Sequence, residues 1–122
     1  MEQSVIPQLR TTDAKRSLAF YVEGLGFSVD WEHQFEPGFP RFIQLTRSGQ
    51  TIFLTEHEGD CQTGGAVYFI VPDVDASARQ FQTGGVTELE GPAPTAWGTR
   101  EMSLLDPDGN RLRFASHADS DA

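Results

Sequence analysis

His33, Glu56 and His57 are the residues whose types could hold a metal ion, because one carboxylate and two imidazoles form a ligand set that a divalent cation accepts. Their spacing argues against it. Glu56 and His57 are consecutive at the end of a strand-like run, "TIFLTEH", and consecutive strand side chains face opposite ways unless the strand bulges. A histidine that hydrogen-bonds a ligand, or one satisfied within the fold, is the better reading. Arg100, Arg111 and Arg113 crowd the last hairpin-like segment, where a guanidinium can meet a carboxylate of the chain or an anionic part of a ligand. Trp97 lies in a Pro/Gly segment, "PTAWGTRE", where a large ring can cover a pocket mouth and stack on a planar ligand, or simply anchor the loop. Trp31 and Phe35 alternate with Asp30 and Glu32, so one face of that strand offers rings to a groove or to the core while the other offers acids to a cationic group. The sequence holds no nucleophile elbow, no phosphate-cradling glycine loop and no CxxC pair.

Composition narrows the partners. Eighteen acids against nine bases give a formal net charge of -9, which disfavours nucleic acid and favours a cationic ligand. The single cysteine, Cys61, cannot close an intrachain disulfide, and the start, "MEQSVIPQLR", lacks the apolar stretch of a signal peptide. The expectation is a cytoplasmic protein. No run approaches the roughly 20 apolar residues needed to cross a bilayer. Nine Phe, two Trp and two Tyr suffice for a core and an aromatic-lined pocket besides.

The elements that must position these residues occur twice. "SVIPQLR" reads as a strand and "DAKRSLAFYVEGLG" as a helix with Asp13 as N-cap and Gly26 as its end. "FSVDWEHQF" follows as a half-buried strand, then "RFIQLTR" and "TIFLTEH" as a hairpin turning at Gly49. The second half runs "AVYFIV", a helix from Asp73, "VTELE", a Pro-rich loop "GPAPTAWG", and a hairpin through "REMSLLD" and "NRLRFAS". A single offset of 60 pairs Asp13 with Asp73, Ser17 with Ser77, Tyr21 with Phe81 and Gly49 with Gly109. The chain therefore reads as two βαβββ modules, 1–60 and 61–122, sharing one core, with the tail "HADSDA" frayed.

Paired βαβββ units, the helix exit Phe20, Tyr21, Leu25, Gly26, Phe27 and the final turn Asp106 to Asn110 resemble the vicinal oxygen chelate superfamily over about residues 4–116. That superfamily includes glyoxalases, extradiol dioxygenases and bleomycin-resistance proteins. The resemblance implies an α+β fold in which each module curls into a half-barrel cup that holds ligand. Its enzymes carry a divalent metal on the first and last strands of each module, positions that fall here on Ile6, Phe53, Ala66 or Val67, and Arg113. These are not metal ligands, since an arginine stays protonated and a phenyl ring has no donor. Over the stretches "LGFSVDWEHQFEPG" and "AWGTREMSLLDPDGNRLRF" the chain resembles the metal-free bleomycin-resistance branch, which implies a homodimer that sequesters a bulky cationic aromatic antibiotic without chemistry or cofactor. The implied ligand-binding set is Asp30, Trp31, Glu32, His33, Phe35, Phe42, Phe53, Glu56, Tyr68, Trp97, Arg100, Met102 and Arg113. The alternative is a metal-dependent lyase, isomerase or dioxygenase using His33, Glu56 and His57.

Overall fold

The computed structural model describes residues 3–117. Its elements are β1 (Gln8–Arg10), α1 (Ala14–Leu18), β2 (Ser28–Gln34), β3 (Arg41–Arg47) and β4 (Gln50–Thr55), then β5 (Ala66–Ile70), α2 (Val74–Thr83), β6 (Glu90–Pro94), β7 (Thr99–Leu105) and β8 (Arg111–His117). Two four-stranded sheets result, ordered β1-β4-β3-β2 and β5-β8-β7-β6, and each opens with a parallel pair, as a βαβββ unit requires. Asp13 and Asp73 both cap their helices, accepting the amide of Arg16 in the first and those of Asp75 and Ala76 in the second. No helix among the described residues is long and apolar enough to cross a membrane. Apart from His117, the tail expected to fray lies outside the described residues.

Several boundaries differ from expectation. The first strand is confined to Gln8–Arg10 rather than spanning residues 4–10, and Pro7 contributes only its carbonyl, which accepts from the Phe53 amide at 2.9 Å. The first helix is α-helical only to Leu18 and continues as a π-helix over Ala19–Gly24, in which Tyr21 is fully buried. In the second module the strand is Glu90–Pro94, which keeps only the last residue of the expected strand "VTELE" and otherwise lies in the segment expected to be a loop. Two prolines are tolerated there because β6 is a sheet edge.

The offset is not constant either. It is 60 between the pairs Gln8–Phe53 and Tyr68–Arg113, but Ser103, not Leu104, stands beside Arg113 where Gln44 stands beside Phe53. On β7 the offset is therefore 59. The cause is the turn: Ser48 and Gly49 alone join β3 to β4, with φ of 50° and 79°, whereas Pro107, Asp108 and Gly109 lie between Asp106 and Asn110, whose backbones are bonded at 2.9 Å. One extra turn residue shifts β7 by one position and exchanges its faces.

One core spans both modules, from Leu9, Ile43, Leu45, Ile52 and Leu54 to Phe69, Met102, Leu104, Leu112 and Phe114, with Tyr21 and Phe81 between. Each hairpin docks on the other module's helix. Arg47 lies 4.9 Å over the Phe81 ring and donates to Ser77 Oγ at 3.2 Å and Gln80 Oε1 at 2.6 Å. Reciprocally, Asp106 accepts from the Tyr21 hydroxyl at 2.7 Å, and Asp108 accepts from Ser17, Thr12 and Arg16. The helix ends approach so closely at Gly24 and Gly84 that a Cβ on Gly84 would sit 2.3 Å from the Gly24 carbonyl.

Burial works against the Asp108 charge, but its bonds from Thr12 and the nearby Arg16 outweigh this and hold its carboxyl below the usual range. A carboxyl lowered in the folded state stabilises above its unfolded pKa, about 3.9, and loses that stabilisation as pH falls through its folded value. We expect Asp108→Asn to be less stable than wild type at pH 7 and to show a shallower loss of urea midpoint from about pH 5 to pH 2. Parallel curves for the two proteins would show that Asp108 does not carry acid sensitivity.

Candidate functional site

Buried Ile43, Leu45, Ile52 and Leu54 fix one face of the first sheet against the core, so the alternate positions form the opposite, open face. Paired residues share a face, which places Trp31 beside Gln44, His33 beside Phe42, and Gln44 and Gln8 beside Phe53. The rings meet: Trp31 stacks on Phe42 at 6.0 Å, Phe42 and Phe53 are 4.8 Å apart, and Trp31 remains 44% exposed. His33 and Phe35 form an edge-to-face pair at 4.6 Å beyond them.

The alternation read along β2 fails at one point. A bulge between Val29 and Trp31 makes two residues oppose one, so Asp30 joins the open face beside Trp31 and accepts from Gln44 at 2.9 Å and from Thr46. Those two bonds, Thr46 first, lower its pKa. Glu32, expected beside Asp30, instead pairs across from buried Ile43 and binds Arg41 through both oxygens, at 2.8 and 3.0 Å. Glu56 is also outside the site. Its two oxygens accept the Ala14 and Arg41 amides, each at 2.9 Å, tying α1 and β3 to the end of β4. Among the described residues no three His, Cys, Asp or Glu side chains come together, so His33, Glu56 and His57 do not assemble.

In the second sheet Phe69, Met102, Leu104, Leu112 and Phe114 take the core face. Met102, expected to line the pocket, is on the core face and almost wholly buried, although it still borders the cavity in front of the open face. Arg100 also belongs to the helix side, where it grips Asp75 of α2 at 2.8 and 3.1 Å. The shifted offset explains both errors, since it brings Glu101, not Met102, into the place of Phe42. The open face carries Tyr68, Arg113, Ser103 and Glu101, and a cavity of about 390 Å³ in front of it is lined by Trp97, Glu90, Glu101, Ser103, Arg111 and Arg113.

Glu101, not anticipated, is the hub of this face. One carboxylate oxygen accepts from Trp97 Nε1 at 3.1 Å, from Thr99 Oγ1 at 3.0 Å and from the Tyr68 hydroxyl. Burial opposes its ionisation, yet these donors and the Arg113 charge prevail and lower its pKa, while the same bond raises that of Tyr68. The signal for it was present in "REMSLL": apolar Met102 and Leu104 alternate with polar Glu101 and Ser103.

The parallel register pairs Gln8 with Phe53 and Tyr68 with Arg113, which puts these four side chains on the open faces. This set does not fit a metal: Phe53 has no donor atom, the Arg113 guanidinium offers only N–H donors and no acceptor lone pair, and the Tyr68 hydroxyl is committed to Glu101.

The family model for glyoxalase superfamily proteins matches residues 1–121. YraH of Bacillus subtilis (strain 168) is 27% identical over 118 residues, covering 88% of this chain and 92% of that protein. TnmS3, an antibiotic-binding protein from Streptomyces sp. CB03234, superposes with a TM-score of 0.71 at 25% identity, over 96% of this chain and 98% of its own. A bleomycin resistance determinant encoded on the transposon Tn5 has the same fold, with a TM-score of 0.77 at 23% identity over 95% of this chain and 98% of its own.

In a Trp31→Phe background, Glu101→Gln should weaken the hold on Trp97, so acrylamide quenching of the remaining indole rises. The unfolding midpoint should shift by only about 0.5 kcal/mol or less, as for other surface substitutions. Unchanged quenching would mean that Glu101 does not position Trp97.

Proposed function

Because the chain belongs to the glyoxalase superfamily, we propose that it is a metal-free binding protein that sequesters a bulky cationic aromatic compound of the bleomycin class. The observation that carries this reading is the pair of open sheet faces. One presents a Trp31, Phe42 and Phe53 ring cluster, and the other a carboxylate, Glu101, held among Trp97, Thr99 and Tyr68. Rings supply stacking area at low conformational cost, and a carboxylate in a concave wall attracts a cation. A net charge of -9 adds long-range attraction of the same sign. The antibiotic-binding activity stated for TnmS3 supports the ligand class, and the unsuitable donors at the four strand positions support binding without a metal.

We further read the working form as a cytoplasmic homodimer. Trp31, Phe35, Tyr68, Ile70 and Trp97 are all exposed in a single chain, and a second copy would cover this apolar surface while closing the cups around ligand.

Bleomycin should raise the thermal midpoint in a concentration-dependent way, and sedimentation should give twice the 13.5 kDa chain mass. Trp97→Ala should weaken binding by about 1–3 kcal/mol through lost stacking and buried area. Asp30→Asn should instead slow association and flatten its salt dependence, since an exposed charge acts mainly on encounter. Absence of any bleomycin effect on wild type would remove the ligand class. Stoichiometric metal accompanied by turnover after addition of nickel, iron or manganese would replace the binding reading with an enzymatic one.

A further inference from the structure

Resting on that binding function, we propose that Arg113 receives an oxyanion of the ligand, so that the compound carries an acidic group such as a carboxylate beside its aromatic and cationic parts. Arg113 projects from the open face of β8, between its pairing partners Tyr68 and Ser103, into the cavity that Glu101 and Trp97 also line. The other strand arginines are all occupied: Arg10 donates to the Thr11 carbonyl, Arg41 to Glu32, Arg47 to Gln80, Arg100 to Asp75 and Arg111 to Ser103. Among the described residues Arg113 makes no ion pair and no hydrogen bond.

Its surroundings make that vacancy informative. Arg111 lies two positions away on the same face, roughly 7 Å along the strand, so two guanidinium groups face one cavity. Arg111 has Glu90 only at the limit of an ion pair, 4.0 Å, and takes Ser103 Oγ at 2.6 Å. Glu101 senses the Arg113 charge but stands outside ion-pair distance, and its occupied oxygen is turned to Tyr68, Thr99 and Trp97. The cavity thus has a basic side and an acidic side. A planar guanidinium with its fork unoccupied matches a carboxylate through two parallel bonds, and an anion there relieves the repulsion between Arg111 and Arg113. In a protein with twice as many acids as bases, such a basic side is not a product of overall composition.

The test uses three matched probes with the full chain at low ionic strength: indole-3-acetate, indole-3-acetamide and tryptamine, each titrated by calorimetry and by amide shifts in nitrogen-15 spectra. Indole-3-acetate should bind about tenfold or more tightly than the neutral acetamide, with shifts centred on Ser103 and Arg113. Arg113→Met should abolish that preference and Arg113→Lys should keep part of it, while tryptamine affinity stays at or above the wild-type value in both. Tryptamine should weaken in Glu101→Gln. Equal affinity of wild type for the acetate and the acetamide, with tryptamine still bound, would overturn the Arg113 assignment and leave the binding function standing. Failure of all three probes, together with bleomycin, would remove the binding function itself. Conversion of a wild-type dimer to monomer by Arg113→Met would also overturn the assignment, because the arginine would then be meeting an acid of the second copy.

Discussion

The buried carboxylate of Asp106 is the interaction on which the arrangement of both modules rests. One oxygen accepts the amides of Asp108 and Asn110, at 2.9 Å each, and closes the turn; the other accepts the Tyr21 hydroxyl and the Asn110 side chain. Asn110 then donates to the Arg10 carbonyl at 3.0 Å and accepts the Gly65 amide at 2.8 Å. A single turn thereby fixes the first strand, the first helix and the link between modules relative to the last hairpin. No buried side-chain oxygen or nitrogen among the described residues is left without a partner, so this polar centre imposes geometry without an unmet desolvation cost. Burial and the Asp106 charge both push the Tyr21 pKa upward, which keeps the hydroxyl a donor across the physiological range.

On the opposite side of the pseudo-symmetric core the same seat is used with opposite charge. Ser17 donates to Asp108, whereas Ser77, its counterpart, accepts from Arg47. Arg47 has no carboxylate there; burial lowers its pKa, and the Phe81 ring, Ser77, Gln80 and the Leu25 carbonyl compensate. With both helices gripped by the opposite hairpin, the helix-side faces are committed to the core. What remains open is the other face of each sheet.

Local chemistry was legible in the sequence, and long-range register was not. Asp13 and Asp73 as caps, Gly49 and Gly109 as turn formers, and the order of strands depend on residues close to one another, and all of them were readable. The bulge at Asp30, the π-helix around Tyr21 and the one-residue shift of β7 depend on what lies across the sheet or across the core. The bulge and the shift change which face a side chain occupies, so their errors concentrated on the site: Glu32, Arg100 and Met102 were counted among the ligand-binding residues and Glu101 was missed. The motif Asp106 to Asn110 was recognisable as a turn. Its role as the tie between modules was not, because its partners Arg10, Tyr21 and Gly65 are far away in the chain.

The period of two along a strand also explains how a duplicated unit can keep its fold while its two sites diverge. Leu54 and Phe114, equivalent residues on the core face, are both fully buried, and truncating either would cost several kcal/mol, about 2–5. Their immediate neighbours Phe53 and Arg113 are equivalent as well, yet one is a ring in an aromatic cluster and the other an unpaired cation. Neither is held by the core, so each can change without disturbing the buried position beside it. The same holds for Gln8 and Tyr68 on the parallel strands, where the second has acquired a bond to Glu101 that the first has no counterpart for. Core-face positions differ between the modules only among apolar residues, whereas open-face positions differ in chemical class, giving one open face dominated by rings and one dominated by opposed charges. A ligand that satisfies both must combine flat apolar surface with fixed polar groups, a requirement that neither face would impose alone.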